Sequence, residues 1–323
     1  MLTDEKICEI KSAIEQSTLE FVSNLSENPS QTKRCFTFLG YRSKNQKHIA
    51  RYIYLVSVIQ ELIYLHSTMT KRDIYYRQLD LFPNVSCIES LVKRFCTYFK
   101  IDRWYFHYVS STSKSVAFGP VQIYYHMKDN WPVDFNVNQK GTLIPACSAG
   151  HITKVNCELV DCVLVVEKDA IFQYILNVTN SLENMPRWLL CTGKGYPDWA
   201  IRYLLKGLVD SNPNLPVYML ADCDPDGFEI YNCYKSEIPD NLHWIGLWPS
   251  ELSVNMNKIP LTNRDIRKLQ CQIKRTKSAS ICKELEIMMQ SGQKAELESL
   301  YSIHPNYLIN DYLFSKLKNG RWY

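Results

Sequence analysis

A multi-domain α/β chain is what the sequence predicts, on three observations. Past residue 150, short and almost purely apolar runs alternate with helical patterns. Between 51 and 100, three helical patterns follow one another directly. Charge is segregated between these two regions. The 323 residues suit one large domain or two ordinary ones of ~100–200 residues each. With 46% hydrophobic and 22% charged residues, the composition is globular, which excludes a disordered or fibrous chain. Tyr52 to Leu65, the longest apolar stretch, is broken by Gln60 and Glu61 and falls short of the ~20 residues a membrane span needs. Met1 to Ile10 carries Asp4, Glu5 and Glu9, unlike a signal peptide. The expectation is a soluble intracellular protein with no membrane contact.

In the first region, Leu55, Val58, Ile59, Leu62 and Leu65 recur at helical spacing and predict a helix over 51–66. Thr70 followed by Asp73 reads as a capping box, so a second helix starts at Lys71. Phe82–Pro83–Asn84 stops it. Ile88, Leu91, Phe95 and Tyr98 or Phe99 then predict a third helix over 86–100. Trp104 to Val109 and Val116 to Tyr125 alternate, are rich in β-formers, and are joined by the polar Ser110–Lys114 loop, which predicts a hairpin. Three short helices and a hairpin follow the order of a winged-helix DNA-binding module. The charge fits: residues 33–128 carry fifteen Lys/Arg against five Asp/Glu, a net +10, whereas 1–32 net −4 and 129–323 net −2. A basic block of this size suits a polyanion.

In the second region, Cys162 to Val166 ends at Glu167, and Trp188 to Cys191 runs into Thr192–Gly193–Lys194–Gly195 before a helix over 199–209. Pro216 to Ala221 ends at Asp222, and His243 to Leu247 is a further strand. Apolar strands alternating with helices predict a mostly parallel sheet covered on both faces. Ligands of such sheets gather beyond the carboxyl ends of the strands, where Glu167 and Asp222–Cys–Asp–Pro–Asp–Gly227 stand. Carboxylates this close repel, and a divalent cation offsets the repulsion. A calcium loop of the EF-hand type would need a Glu where Cys233 stands, and an aspartyl-phosphate phosphatase a Thr where Asp226 stands. An acidic turn that caps a helix at Gly227 is the structural alternative. The twelve cysteines form no CxxC pair and read as small buried hydrophobes in a reducing compartment, without zinc.

A glutamate at the end of one strand and a pair of aspartates at the end of another resemble the Toprim domain. Lys71–Arg–Asp–Ile–Tyr–Tyr76, Val165–Val–Glu–Lys–Asp–Ala170, Thr192–Gly–Lys–Gly–Tyr–Pro–Asp198, Asp222–Cys–Asp–Pro–Asp–Gly227 and Trp244–Ile–Gly–Leu–Trp–Pro–Ser–Glu–Leu252 together resemble the A subunit of topoisomerase VI and its eukaryotic meiotic relative. Ile259–Pro–Leu–Thr262 and Lys316–Leu–Lys–Asn–Gly320 favour the meiotic branch. The resemblance implies a winged-helix (CAP-like) DNA-binding domain followed by a Toprim, Rossmann-like α/β domain. The implied boundaries are an acidic tail and lead-in helix over 1–45, a catalytic-tyrosine domain over 46–128, a linker over 129–155, and a metal-binding domain with a C-terminal extension over 156–323.

The resemblance also implies a transesterase that makes meiotic DNA double-strand breaks through a 5′-phosphotyrosyl intermediate. Tyr76 matches the nucleophile and Arg72 an assisting cation. Glu167, Asp222 and Asp224 match the acids that hold Mg2+ or Mn2+. Asp226 either adds a ligand or caps Gly227. Lys71, Arg77, Lys114, Lys194 and Tyr196 are the expected DNA contacts, and Tyr75 is expected to pack in the core. Implied partners are double-stranded DNA, a second copy at cleavage, accessory meiotic proteins and a topoisomerase VI B-like subunit, in the nucleus on chromosomes. Two alternatives stay open: one of the paired chains of a type IIB topoisomerase (its A subunit) acting with an ATPase partner, and a non-cleaving DNA-binding scaffold.

Overall fold

The computed structural model describes residues 4–27, 36–101, 106, 108–110, 112–125, 132–146, 152–179, 187–304 and 306–323. They form two compact units: Met1–Thr112 with Tyr125–Asn130 and Pro145–His151, and Ser113–Tyr124 with Trp131–Ile144 and Ile152–Tyr323. No helix among the described residues is long and apolar enough to cross a membrane.

The first unit opens with helix α1 (Asp4–Glu27) and the hairpin β1 (Phe36–Phe38) and β2 (Tyr41–Ser43). Helix α2 (Gln46–Tyr64) begins five residues before the expected start at 51, because Asn45 caps it by accepting from Lys47 N. Strand β3 (Met69–Thr70) leads into α3 (Lys71–Arg77), where the Thr70–Asp73 capping box forms as expected. Helix α4 (Val85–Tyr98) follows, and β4 (Val109–Ser110) pairs in parallel with β3. Tyr52, Leu55 and Ile59 of α2, Ile74 of α3 and Ile88, Val92 and Phe95 of α4 form one buried core. This is the helical order of a winged-helix module; Trp104, Tyr105 and His107 of the expected first wing strand lie outside the described residues.

Among the described residues, the strands of the expected hairpin pair elsewhere. Strand β5 (Val116–Phe118) pairs antiparallel with two strands of the second unit, and β6 (Gln122–Tyr125) with β7 (Pro132–Asp134). Alternation identifies a half-buried strand but not its partner, and here the larger apolar sheet takes it. The described part of the stretch expected to be a linker carries β7, β8 (Thr142–Leu143) and the start of β9 (Ile152–Asn156).

The second unit is built on β10 (Cys162–Val166), α5 (Asp169–Thr179), β11 (Trp188–Thr192), α6 (Trp199–Ser211), β12 (Val217–Leu220), α7 (Pro225–Lys235) and β13 (Leu242–Gly246). The sheet order is β13-β12-β10-β11-β5-β8, with β13, β12, β10 and β11 mutually parallel. Strands β10, β11 and β12 are buried throughout, as continuous apolar runs require. Strand β14 (Ile259–Pro260), α8 (Asn263–Arg275), α9 (Ala279–Ser291), β15 (Gln293–Lys294) and α10 (Phe314–Asn319) complete the unit. Two of the quoted motifs meet in its core. The Lys316 ammonium donates to Ile245 O at 2.6 Å, Glu251 Oε2 at 2.7 Å and Tyr312 Oη at 2.8 Å, and lies over the Trp248 ring. Desolvation pulls Lys316 down to about 8, against the opposing pull of Glu251. Five of the ten described cysteines are buried; Cys35 and Cys147 lie outside the described residues.

Candidate active site and metal centre

Glu167 and Asp222 owe their proximity to strand register. In the parallel ladder Val166 stands beside Leu220, so Glu167 leaves β10 where Ala221–Asp222 leaves β12. Glu167 N donates to Leu220 O at 3.0 Å, and Asp222 N returns a bond to Glu167 Oε2 at 3.0 Å. Both acids are buried, 9% and 5% exposed. Burial, then the charge of Asp222, pushes Glu167 up to about 8. Burial also pushes Asp222 up to about 6, against the amide of Leu297 and the charge of Lys168. Asp224 is raised by burial as well, and its Oδ1 accepts from Gly227 N at 2.6 Å. Asp224 is therefore the N-cap of α7. The capping alternative from the sequence is real, but it falls on Asp224, and the same residue remains part of the acid group.

Gly227 keeps this corner open. A Cβ there would press on the Asp222 carbonyl oxygen and lie 3.1 Å from Glu167 Oε2. The charges of Asp222 and Asp224 act on Glu167, and that of Asp224 on Asp222; repulsion of this kind is what a hard, oxygen-seeking divalent cation offsets. Among the described residues, no three His, Cys, Asp or Glu side chains stand ready as a metal-holding group. The inward oxygens are instead engaged by the amides of Asp222, Leu297 and Gly227 and by the Lys168 ammonium, 3.0 Å from Asp222 Oδ2.

The cap on Gly227 is Asp224 rather than Asp226, whose Oδ1 accepts from Lys268 Nζ at 2.5 Å and from Tyr196 Oη at 3.1 Å. Although burial works the other way, the Lys268 hydrogen bond and charge hold Asp226 below the usual carboxylate range. Glu229 is ion-paired to the same ammonium. Tyr196 is thus fixed by α7 and α8 at the end of the Gly-rich turn. In that turn Gly193 lies so close to Tyr234 Oη that a Cβ would stand 2.6 Å from it. Gly195, at φ +88°, adopts a conformation that disfavours side chains and donates to Glu167 O at 2.8 Å. Lys114 Nζ donates to Lys194 O at 2.9 Å, and Lys194 Nζ lies 3.2 Å from Asp169. Lys114 therefore grips the turn.

In the first unit, α3 is continuous from Lys71 to Arg77, which sets Arg72 and Tyr76 one turn apart on one face. Both are exposed, Tyr76 by 67%, and neither has a hydrogen-bond or ion-pair partner among the described residues. Tyr75 packs against the core, as expected. Lys71 is held 2.9 Å from Glu89, and Arg77 lies 3.9 Å from Glu61. Sequence reasoning missed Lys168, Glu296, Glu298, Glu229 and Lys268. Of these, only Lys168 stood inside a quoted motif.

Comparison with known proteins supplies the class first. Residues 162–317 match the model of the Toprim domain shared by Spo11 and the A subunit of topoisomerase 6, and residues 47–107 that of type IIB DNA topoisomerase. The chain is 35% identical over 300 residues to the meiotic recombination protein SPO11 of Mus musculus, covering 86% of this chain and 73% of that one. It is 33% identical, with the same coverage, to SPO11 of Homo sapiens. Meiotic recombination protein W68 of Drosophila melanogaster is 26% identical over 97% of this chain and 98% of its own. The chain belongs to the Spo11 family of topoisomerase VI A-subunit relatives.

Proposed function

We propose that this protein is a topoisomerase-like transesterase that makes meiotic DNA double-strand breaks with Tyr76 as nucleophile. The phenol oxygen attacks a backbone phosphorus, a 5′-phosphotyrosyl ester forms, and the 3′ oxygen leaves with a proton. The ester conserves the bond energy, so the break is reversible. An unperturbed phenol titrates near ~10 and needs a cation beside it. Arg72, one turn away on the same face, is that cation and grips the phosphate through its planar donor fork.

Glu167, Asp222 and Asp224 would hold Mg2+ or Mn2+, which supplies charge neutralisation at the phosphate when bound. The chain's own part is to keep three acids together against their repulsion through the amides of Asp222, Leu297 and Gly227. Lys194 and Tyr196 are the DNA contacts nearest those acids in the chain's second unit, and Lys114 contributes by fixing their turn. Arg77 contacts a flanking phosphate, and Lys71 does so on release from Glu89. Tyr76 of one copy works with the acids of another, so a double-strand cut uses a homodimer on double-stranded DNA. Accessory meiotic proteins and a topoisomerase VI B-like subunit are the further partners, in the nucleus on chromosomes. The tyrosine module lies within 46–128 and the metal module within 156–323.

The carrying observation is the register that sets Glu167 and Asp222 at neighbouring strand ends in hydrogen-bond contact. The test is immunoprecipitation of chain-linked oligonucleotides from meiotic cells, with and without Tyr76→Phe. The variant is expected to yield none. Persisting adducts mapped to another tyrosine would overturn the assignment. A tightly bound ATPase partner with DNA-relaxing activity would favour the topoisomerase alternative. Magnesium-independent DNA binding with a silent Asp222→Asn would favour the scaffold.

A further inference from the structure

Lys168 has an arrangement that the proposed chemistry leaves unused. Its ammonium lies 3.0 Å from Asp222 Oδ2, 2.9 Å from Glu298 Oε2 and 3.4 Å from Glu296 Oε2. Asp222 is buried, whereas the side chains of Glu298 and Glu296 are 37% and 59% exposed. The segment bearing the two glutamates is fastened to the acidic loop. Cys223 and Ala295 exchange backbone hydrogen bonds, and Leu297 N donates to Asp222 Oδ1 at 2.8 Å. One ammonium therefore spans a buried carboxylate of the proposed metal set and two outer carboxylates held at a fixed place beside it.

We propose that Lys168 is a tethered cation that competes with the divalent metal for Asp222 and transfers its pairing to Glu298 and Glu296 when the metal binds. The inference rests on the reading of Glu167, Asp222 and Asp224 as metal-holding acids. Carboxylates gathered at two neighbouring strand ends repel strongly when nothing positive stands among them, and Lys168 supplies that charge from within the chain. The exchange is cheap because the displaced ammonium keeps two of its three partners and never becomes a lone buried charge. Lys168 therefore sets how much free metal the site requires, while its outer partners keep the acidic loop assembled.

Mn2+ titration of the full chain, read by the electron paramagnetic resonance of the free ion, tests this without any DNA cleavage. Lys168→Met removes the competitor and is expected to tighten the Kd by about tenfold. Lys168→Arg retains the cation and is expected to keep the wild-type Kd. The paired Glu296→Gln, Glu298→Gln variant removes the outer partners and is expected to weaken binding. Asp222→Asn is expected to abolish it. An unchanged or weaker Kd in Lys168→Met, with binding lost in Asp222→Asn, overturns the role of Lys168 alone. Unaltered binding in Asp222→Asn overturns the metal reading and the inference with it. Should Lys168→Met fail to fold, the paired glutamine variant decides, and an unchanged Kd there overturns the proposal.

Discussion

Tyr76 and Glu167 are the two ends of the proposed chemistry, and the protein treats them in opposite ways. Tyr76 stands 67% exposed on a seven-residue helix, with its neighbours Ile74 and Tyr75 turned to the core. Glu167 is 9% exposed and fastened by the strand ladder and by the amide of Asp222, whose own carboxylate is paired with Lys168. The lesson concerns where each function gets its precision. An exposed nucleophile costs the fold nothing and depends on what is brought to it. A buried acid cluster carries desolvation and repulsion, and needs the surrounding backbone to hold it in place.

That contrast can be broken by experiment. Tyr76→Phe is expected to cut covalent adduct formation by about 10⁴-fold or more, as loss of a nucleophile does, while shifting unfolding free energy by less than about 0.5 kcal/mol. A large loss of stability would show that the tyrosine is structural. Asp222→Asn is expected to cost about 10²–10³-fold in cleavage, by the scale of removing one charge-stabilising group. Unlike the tyrosine change, it should also alter thermal stability, because it strips Lys168 of its buried partner. Ile74→Ala, directly beneath the exposed face of α3, is expected to destabilise by about 2–5 kcal/mol, measured by denaturant unfolding.

Lys316 extends the comparison to a buried cation. Its folded value of about 8 lies below the ordinary 10.5, so between those values the unfolded chain binds more protons. Its contribution to stability therefore rises with pH across that window. The stability of wild type minus that of Lys316→Met is expected to grow by about 1–2 kcal/mol from pH 8 to 10; a flat difference would refute it. The smallest effect is expected for Thr70→Ala, about 1 kcal/mol from the lost cap of α3. It should lower adduct formation only through fraying of the tyrosine's helix.

What was legible in the sequence follows the same division. Strands 162–166 and 188–191 could be read almost to the residue, because runs buried on both faces are apolar without interruption. The acids at their ends followed. Tyr76 and Arg72 could be read only through a resemblance, since an exposed pair on a short helix leaves no hydropathy signal. Val116–Phe118 was recognised as a strand but given the wrong partner, because its true neighbour β11 lies some 70 residues onward. Lys168 and Lys268 were missed for a related reason. Their partners sit 130 and 42 positions away, and only the folded sheet and its covering helices bring them together.

The pairing of Val166 with Leu220 makes β10 and β12 work as a ruler. Adding or deleting one residue inside either strand would shift its acid by about 3.3 Å and turn alternate side chains to the opposite face. Insertions within 162–167 or 217–222 should therefore silence the protein even where they leave it folded.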